Sequence, residues 1–307
     1  MLIHSGEGFD VFRHDGASPY LLVTFNEVGR LGDGVWYWGQ PIVEAHNIST
    51  IGIASRLRDW FRNPGIDRFL AEHADLFRNF PGDVVAVGYS MGAYGAIKYS
   101  RAINASTVVA ICPQYTMDAA GMGDTRAPHK FFDPVLHRNM EPRREEMSGR
   151  IYVLHDPHYN NDLVHVRALA ATGHQSVIPV AVPFADHEVQ LLFTEGRALV
   201  ELIEACRSGD KARIGAFIRA TRKRWPLRAS KAALATAGKR PVVAARIYAN
   251  YPAAFRPIDL GALAHRVKGR MPDFAERLFT RAIELAPKVE QFKTAIAALR
   301  RSRGARA

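Results

Sequence analysis

The feature that most constrains the fold is an alternation, over residues 1–195, of short apolar runs with stretches of helical periodicity. Helical spacing occurs in GIDRFLAEHADLFRNF (65–80), MGAYGAIKYSRAIN (91–104) and NDLVHVRALAATG (161–173). The apolar runs are LLVTF (21–25), ISTIGI (48–53), DVVAVG (83–88), TVVAIC (107–112), RIYVLH (150–155) and SVIPVAVPF (176–184), with FDVFRHDG (9–16) as a further candidate. Strands that alternate with helices predict βαβ units and a mostly parallel sheet, which is the α/β fold class. Because the runs are continuously apolar, helices are expected to cover both faces of the sheet.

The chain changes character near residue 196. Residues 1–195 carry 16 Lys+Arg and 22 Asp+Glu, a balance of −6, whereas residues 196–307 carry 25 and 8, a balance of +17; the two sum to the net charge of +11. Beyond residue 196 the apolar residues are mostly Ala and Leu, and short helical patterns are separated by Gly and Pro. The sequence therefore predicts an α/β domain over 1–195 and a basic, all-α region over 196–307.

The composition is that of a soluble globular protein, with 48% hydrophobic and 23% charged residues. No run approaches the ~18–20 apolar residues of a membrane helix. The first residues, MLIHSGEGFD, have neither the basic nor the apolar region of a secretory signal. Two cysteines, Cys112 and Cys206, provide no disulfide framework. These features predict a cytoplasmic protein without a membrane span.

The run DVVAVG ends at Gly88-Tyr89-Ser90-Met91-Gly92, which matches the pattern G-x-S-x-G. In this pattern a serine occupies a sharp turn from a strand to a helix, and small residues two positions away let the two elements approach closely. The context fits, since an apolar strand ends at Gly88 and a helical stretch rich in small residues follows Ser90. A tight packing turn with an inert serine is the alternative. The pattern favours Ser90 as a nucleophile for acyl transfer.

A serine hydroxyl needs a base to take its proton, and the base needs an acid to orient it. His187 follows the last predicted strand, which is where such a base is expected. Two aspartates follow RIYVLH and compete for the role of the acid. Asp156 lies directly at the strand end, and Asp162 lies where the next helix begins, so that helix capping would also explain it. Asp156 is slightly preferred, and both stay candidates.

An oxyanion that forms at Ser90 requires hydrogen-bond donors close to the serine. The backbone N–H of Met91, directly after the serine, is one expected donor. The loop after LLVTF is expected to supply the other, from Asn26 or Glu27. Residues 115–150 are long for a connection between a strand and a helix, and we interpret them as a small lid over this edge of the sheet.

Five further residues are candidates for a substrate pocket because of their position next to these elements. Tyr89 lies within the serine turn, and Gln114 and Tyr115 follow TVVAIC on the expected rim above it. Trp36 and Trp38, in VWYWG, follow the expected oxyanion loop, although ordinary core packing is the favoured explanation for this aromatic stretch.

Residues 10–195 resemble the α/β-hydrolase superfamily, through GYSMG, the order of the strands, and the downstream aspartate and histidine. More narrowly, RDWFRN (58–63), GYSMGAYGAIKYS (88–100) and AICPQYTMD (110–118) resemble a poorly characterised set of bacterial α/β-hydrolase-like proteins. The resemblance implies a hydrolase fold and a Ser-His-Asp triad, and it leaves the substrate open.

The leading functional interpretation is a serine hydrolase that acts on an ester or other acyl bond of a small molecule or glycan. An acyltransferase is the nearest alternative, because the same residues transfer acyl groups to a sugar or alcohol when water is excluded. A third interpretation is a non-catalytic scaffold whose region 196–307 binds a protein or an anionic polymer. No CxxC, HxxxH or GxxxxGK[ST] pattern occurs, so neither a metal nor a cofactor is predicted.

A fragment of a repeat pattern lies in the basic region. Ala275, Phe279, Ala282 and Pro287 have the spacing of the second helix of a tetratricopeptide-like repeat. The preceding helix lacks the matching first-helix residues, so close packing of helices through small alanines is the favoured alternative.

Overall fold

The apolar runs pair into one eight-stranded sheet. The computed structural model describes residues 1–126, 129–194 and 197–304. The strands are β1 (Leu2–Gly6), β2 (Phe9–His14), β3 (Tyr20–Phe25), β4 (Thr50–Ser55), β5 (Asp83–Tyr89), β6 (Thr107–Ile111), β7 (Arg150–His155) and β8 (Val177–Ala181). Sequence reasoning missed only β1 among these strands, because LIHSG is a largely solvent-accessible edge strand and carries no apolar run.

The order of the strands brings the candidate site residues to one edge. The order is β1-β2-β4-β3-β5-β6-β7-β8, with β2 antiparallel to both of its neighbours and every other pair parallel. The carboxyl ends of β3 to β8 therefore lie along the same edge of the sheet, and ligands of such sheets bind outside these ends. Ser90, Gln114, Asp156 and His187 each follow a different one of these strands. The predicted fold class is confirmed.

Helices lie between these strands and after them, and several differ in extent from the sequence prediction. They are α1 (Gln40–Ala45), α2 (Pro64–Glu72), α3 (Asp75–Arg78), α4 (Met91–Lys98), α5 (Asn160–Ala171), α6 (Ala198–Ser208) and α7 (Lys211–Arg224). The stretch predicted as one helix over 65–80 is divided between α2 and α3, which still bury the predicted Phe69 and Phe77. The helix predicted to run to residue 104 ends at Lys98, where Tyr99 leaves the helical conformation.

The connection between β6 and β7 follows an irregular path over its described residues, 115–126 and 129–150. These residues include two single-turn 3₁₀ helices, Ala120–Met122 and Arg144–Glu146. Three of its methionines, Met117, Met140 and Met147, are buried in the main apolar core. These three side chains therefore anchor the segment to the core. The prediction of a lid did not include this anchoring.

The chain divides into two compact units at a later position than the change of composition. The units are residues 1–221 and 222–307, whereas the sequence placed the boundary at 195/196. The difference arises because α6 packs on the sheet and is fixed there by polar contacts. Arg207 of α6 reaches Asp83 at the start of β5 with an N–O distance of 3.1 Å, and its backbone carbonyl accepts from Arg150 at 2.7 Å. A helix beyond the change of composition can thus belong to the α/β unit.

The second unit consists of helices around its own apolar core. These are α8 (Arg228–Ala237), α9 (Pro241–Asn250), α10 (Pro257–Val267), α11 (Pro272–Leu285) and α12 (Glu290–Gly304). Here α8 packs against α9 and α10, and α11 packs against α10 and α12. Ala275, Phe279 and Ala282 are fully buried in this core, as close helix packing requires. The tetratricopeptide-like pattern itself stays a prediction.

Part of the positive charge of this unit is used inside it. The guanidinium groups of Arg266 and Arg270 donate to the carbonyls of Leu234 and Gly238 at the end of α8. Basic groups at a helix C-terminus satisfy carbonyls that have no partner within the helix. No helix in the described ranges is both long and apolar enough to cross a membrane.

Candidate active site

Ser90 lies at the sharp turn between β5 and α4. Its backbone has φ 53° and ψ −115°, a strained conformation for a residue with a side chain. The turn is possible only because Gly88 and Gly92, two residues to either side of Ser90, lack side chains. A Cβ on Gly88 would lie 2.2 Å from the backbone carbon and oxygen of Gly92. A Cβ on Gly92 would lie 2.2 Å from the carbonyl oxygen of Phe25. The G-x-S-x-G pattern is thus required by sterics at both glycines.

Ser90, His187 and Asp162 form one chain of hydrogen bonds. The Oγ atom of Ser90 lies 3.1 Å from Nε2 of His187, and Nδ1 of His187 lies 2.8 Å from Oδ2 of Asp162. The carboxylate of Asp162 is fully buried. When Nδ1 carries the proton and donates to Asp162, Nε2 is free to accept the proton of Ser90, which is the arrangement that general-base activation of a serine requires.

Asp156, the slightly preferred acid in the sequence, contacts the backbone of the histidine loop instead of the imidazole. Its Oδ2 atom accepts from the N–H groups of Ala185 and Asp186 at 2.9 and 2.8 Å, and its Oδ1 atom accepts from that of His158 at 2.8 Å. Asp156 therefore fixes the loop that carries His187, while Asp162 in the first turn of α5 reaches the ring.

Tyr89 holds the backbone of His187. The hydroxyl of Tyr89 donates to the carbonyl of His187 at 2.9 Å, and the two ring centroids are 5.3 Å apart. Burial raises the pKa of Tyr89 far above its usual value, so the hydroxyl keeps its proton and stays a donor. Tyr89, a pocket candidate in the sequence, thus fixes the position of His187.

The strand order and this strand–turn–helix serine together decide the fold. The chain has the α/β-hydrolase fold. No protein-family model matches the sequence, and no curated protein matches it.

Solved structures of an acetyltransferase, an esterase and a serine hydrolase are similar to this α/β-hydrolase chain in fold. The capsule O-acetyltransferase of Neisseria meningitidis serogroup A is 11% identical, with 71% of this chain and 92% of that chain covered and a TM-score of 0.46. Est1E from Butyrivibrio proteoclasticus is 14% identical, with 70% and 98% covered and a TM-score of 0.43. FphF, a fluorophosphonate-binding serine hydrolase of Staphylococcus aureus, is 13% identical, with 59% and 88% covered and a TM-score of 0.40.

The expected oxyanion donors lie where the start of α4 meets the loop after β3. Among the hydrogen bonds of the described residues, none uses the backbone N–H of Met91 or of Glu27 as its donor. Asn26 is fully buried and holds the loop in place, because its side chain exchanges hydrogen bonds with the backbone of Ser55 at 2.7 and 3.0 Å. Burial raises the pKa of the Glu27 carboxyl, and the charge of His187 acts in the opposite direction.

Arg126, in the connection between β6 and β7, contacts Asp162, and sequence reasoning missed this residue. Nη2 of Arg126 lies 3.2 Å from Oδ1 of Asp162 and donates to the carbonyl of Asn161 at 2.9 Å. The same guanidinium forms a two-pronged ion pair with Asp124, whose other partner is Nε2 of His165 at 3.0 Å. Burial raises the pKa of Asp124, but hydrogen bonds from His165 and Arg126 outweigh it and lower the pKa overall.

Gln114 contacts Ser90 directly, as part of a pair with Trp60. Its Nε2 atom lies 3.3 Å from Oγ of Ser90, and its Oε1 atom accepts from the indole N–H of Trp60 at 3.1 Å. Trp60 belongs to the DWF stretch after β4 and is fully buried with a φ of 51°. The sequence predicted Gln114 as a pocket rim residue, and only the resemblance of RDWFRN singled out Trp60.

The remaining pocket candidates lie against other groups. The backbone N–H of Tyr115 donates to Nδ1 of His165 at 3.1 Å. Trp36 packs beneath the guanidinium of Arg30, which lies 3.8 Å from the ring centroid. Within the described ranges, neither Trp36 nor Trp38 has a hydrogen bond or ring contact with Ser90 or His187.

In the part of the chain that the structure describes, one group of side chains comes close enough together to hold a metal ion. Ligand atoms of Cys112, Asp162 and His187 lie within 4.8 Å of one another. Burial raises the pKa of the Cys112 thiol well above its usual value, so the sulfur stays protonated, whereas a metal ligand is a thiolate. The other two residues are already bonded to each other. The donor set therefore fits a hydrogen-bonded cluster with a protonated thiol better than a metal.

Proposed function

We propose that the protein is a serine-dependent acyl hydrolase that cleaves an ester of a small molecule or a glycan. The observation that carries the proposal is the position of His187, with one ring nitrogen 3.1 Å from Oγ of Ser90 and the other 2.8 Å from Asp162. A packing turn with an inert serine would need no base at this distance and no buried acid behind it. Asp162 is the acid in this proposal.

The first half-reaction transfers the acyl group to the enzyme. Oγ of Ser90 attacks the carbonyl carbon while its proton passes to Nε2 of His187, and the buried Asp162 stabilises the imidazolium that forms. The negative charge that develops on the carbonyl oxygen is stabilised by the N–H of Met91 and by an N–H of Asn26 or Glu27, each of the order of 3–4 kcal/mol in well-studied cases. His187 then returns the proton to the leaving alcohol.

The second half-reaction regenerates Ser90. Water gives its proton to His187 and attacks the acyl carbon; the bond to Oγ breaks, and Oγ takes the proton back. An alcohol or sugar in place of water would give acyl transfer. Ser90 is only 5% exposed, which favours this second candidate, because limited access of water lets a bound acceptor compete.

A fluorophosphonate probe tests the proposal. We expect the wild-type protein to be labelled once per chain, with the adduct on Ser90 by peptide mass spectrometry, and Ser90→Ala to stay unlabelled. Ser100→Ala, a buried hydroxyl after α4, serves as the control and should label normally. A folded wild-type protein that resists the probe and hydrolyses no member of a short ester panel contradicts the proposal. Product analysis with and without an added alcohol distinguishes hydrolysis from transfer.

Arg126→Met is expected to lower kcat/KM by about tenfold. The change removes the cation beside Asp162 and breaks the ion pair with Asp124, so that two buried carboxylates lose a partner. Loss of one partner of a buried charge costs about 3–5 kcal/mol in stability, part of which is relieved here by His165. Steady-state kinetics and thermal melting measure the two effects. Arg143→Met, in the same segment but exposed, is the control. Unchanged kinetics in Arg126→Met would exclude a role for this ion pair.

A further inference from the structure

We propose that the carboxamide of Gln114, oriented by Trp60, is a catalytic donor to the oxygen of Ser90, distinct from the backbone donors to the carbonyl oxygen. This inference rests on the proposed function and assigns a role in it that the G-x-S-x-G pattern does not contain. It follows from the 3.3 Å distance between Nε2 of Gln114 and Oγ of Ser90.

The orientation of the carboxamide is fixed by chemistry. An indole N–H can only donate, so the Gln114 atom that faces Nε1 of Trp60 at 3.1 Å must be the carbonyl oxygen. The NH₂ group is then the donor next to Ser90, whose Oγ atom lies 3.3 Å from Nε2 and 3.5 Å from Oε1 of Gln114. With the opposite orientation two donors would face each other in a buried site, which costs about 1–3 kcal/mol.

Trp60 is itself held by a network that leaves it little freedom. The carboxylate of Asp59 accepts from the N–H of Phe61 and from the hydroxyl of Ser55, both at 2.9 Å. Trp60 and Phe61 both have positive φ angles, of 51° and 56°, so this turn keeps two side chains in a sparsely populated conformation. The indole is fully buried. Such a support is expected for a group that orients a reacting side chain.

The donor acts most strongly when the acyl-enzyme breaks down. In the resting enzyme Oγ is a hydroxyl oxygen, which already accepts the hydrogen bond, so the donor adds little during attack. In the acyl-enzyme Oγ is an ester oxygen and a weak acceptor. As the bond from the acyl carbon to Oγ breaks, the electron pair goes to Oγ before His187 returns the proton. A hydrogen bond that strengthens only in this transition state accelerates this step.

The test compares the two half-reactions with p-nitrophenyl acetate, whose good leaving group makes deacylation limiting. We expect Gln114→Met to lower the deacylation rate by about 10–100-fold and the acylation burst by less than about threefold. The acetyl adduct on Ser90 should then accumulate in intact mass spectra. Trp60→Phe removes the N–H that fixes the carboxamide and should slow the same step by about three- to tenfold. Gln175→Met, in an exposed turn before β8, is the control.

The outcomes distinguish a failure of this inference from a failure of the proposed function. A wild-type protein that neither forms an acetyl-enzyme nor reacts with a fluorophosphonate overturns both. A reactive wild type with unchanged deacylation in Gln114→Met overturns only the role of Gln114. Equal losses in both half-reactions, with a lowered melting temperature, would assign Gln114 to structure and overturn the catalytic role as well. Trp60→Phe still tests the inference where Gln114→Met folds poorly.

Discussion

Asp162→Asn is expected to lower kcat of the proposed ester hydrolysis by about 10⁴-fold while the protein stays folded. The asparagine NH₂ group or its oxygen would face Nδ1 of His187, which lies 2.8 Å from the present carboxylate. The neutral amide neither holds the required tautomer nor stabilises an imidazolium buried beside it. Steady-state turnover of an activated ester measures the loss, and thermal melting checks the fold.

Asp156→Asn is the matched comparison, and its effect should be of a different kind. The two oxygens of the Asp156 carboxylate accept hydrogen bonds from three backbone N–H groups. An asparagine has an acceptor oxygen in place of only one of these two oxygens. The variant leaves a buried donor unpaired, which costs about 1–3 kcal/mol of stability, and loosens the loop that carries His187. We expect a lower melting temperature with a loss of turnover of about ten- to a hundredfold. A larger catalytic loss in Asp156→Asn than in Asp162→Asn would assign the acid to Asp156.

Local sequence carried enough information for the serine and the histidine. Ser90 was predictable for two reasons. A side chain on either flanking glycine would clash with backbone nearby in the chain or in the loop after β3, so the pattern is local. In addition, the apolar strand before Ser90 and the helical stretch after it are visible in the sequence. His187 was predictable because it follows the last parallel strand. The choice between Asp156 and Asp162 was harder, because both follow β7. Only the direction of helix α5, which the sequence does not give, decides that the carboxylate of Asp162 reaches the ring of His187.

Contacts between residues that are distant in the chain left no such signal, even where one partner was a predicted candidate. Trp60 follows β4 and Gln114 follows β6, so that their contact joins positions 54 residues apart in the chain. Arg126 meets Asp162 from an irregular connection that has no periodicity to interpret. The placement of α6 shows the same limit, because its position after residue 196 assigned it to the helical region, whereas burial of its apolar face places it on the sheet.

Gly92→Ala is expected to slow fluorophosphonate labelling by at least about 100-fold although no catalytic side chain is changed. The added Cβ would lie 2.2 Å from the carbonyl oxygen of Phe25 and 2.8 Å from that of Asn26. These atoms belong to backbone, so the start of α4 and the loop after β3 must move apart. The N–H of Met91 and the donor from Asn26 or Glu27 lie on these two elements, and separating them enlarges the oxyanion site.

Overpacking of this kind also costs about 1–3 kcal/mol of stability, so the labelling rate must be compared at a temperature where the variant is folded. Gly121→Ala provides the control, because a Cβ there meets no atom within 4 Å. It should keep both the labelling rate and the melting temperature of the wild type. If folded Gly92→Ala reacted at the wild-type rate, the donors on these two elements would have no part in stabilising the oxyanion. The close approach of Gly92 to the loop after β3 would then serve packing alone.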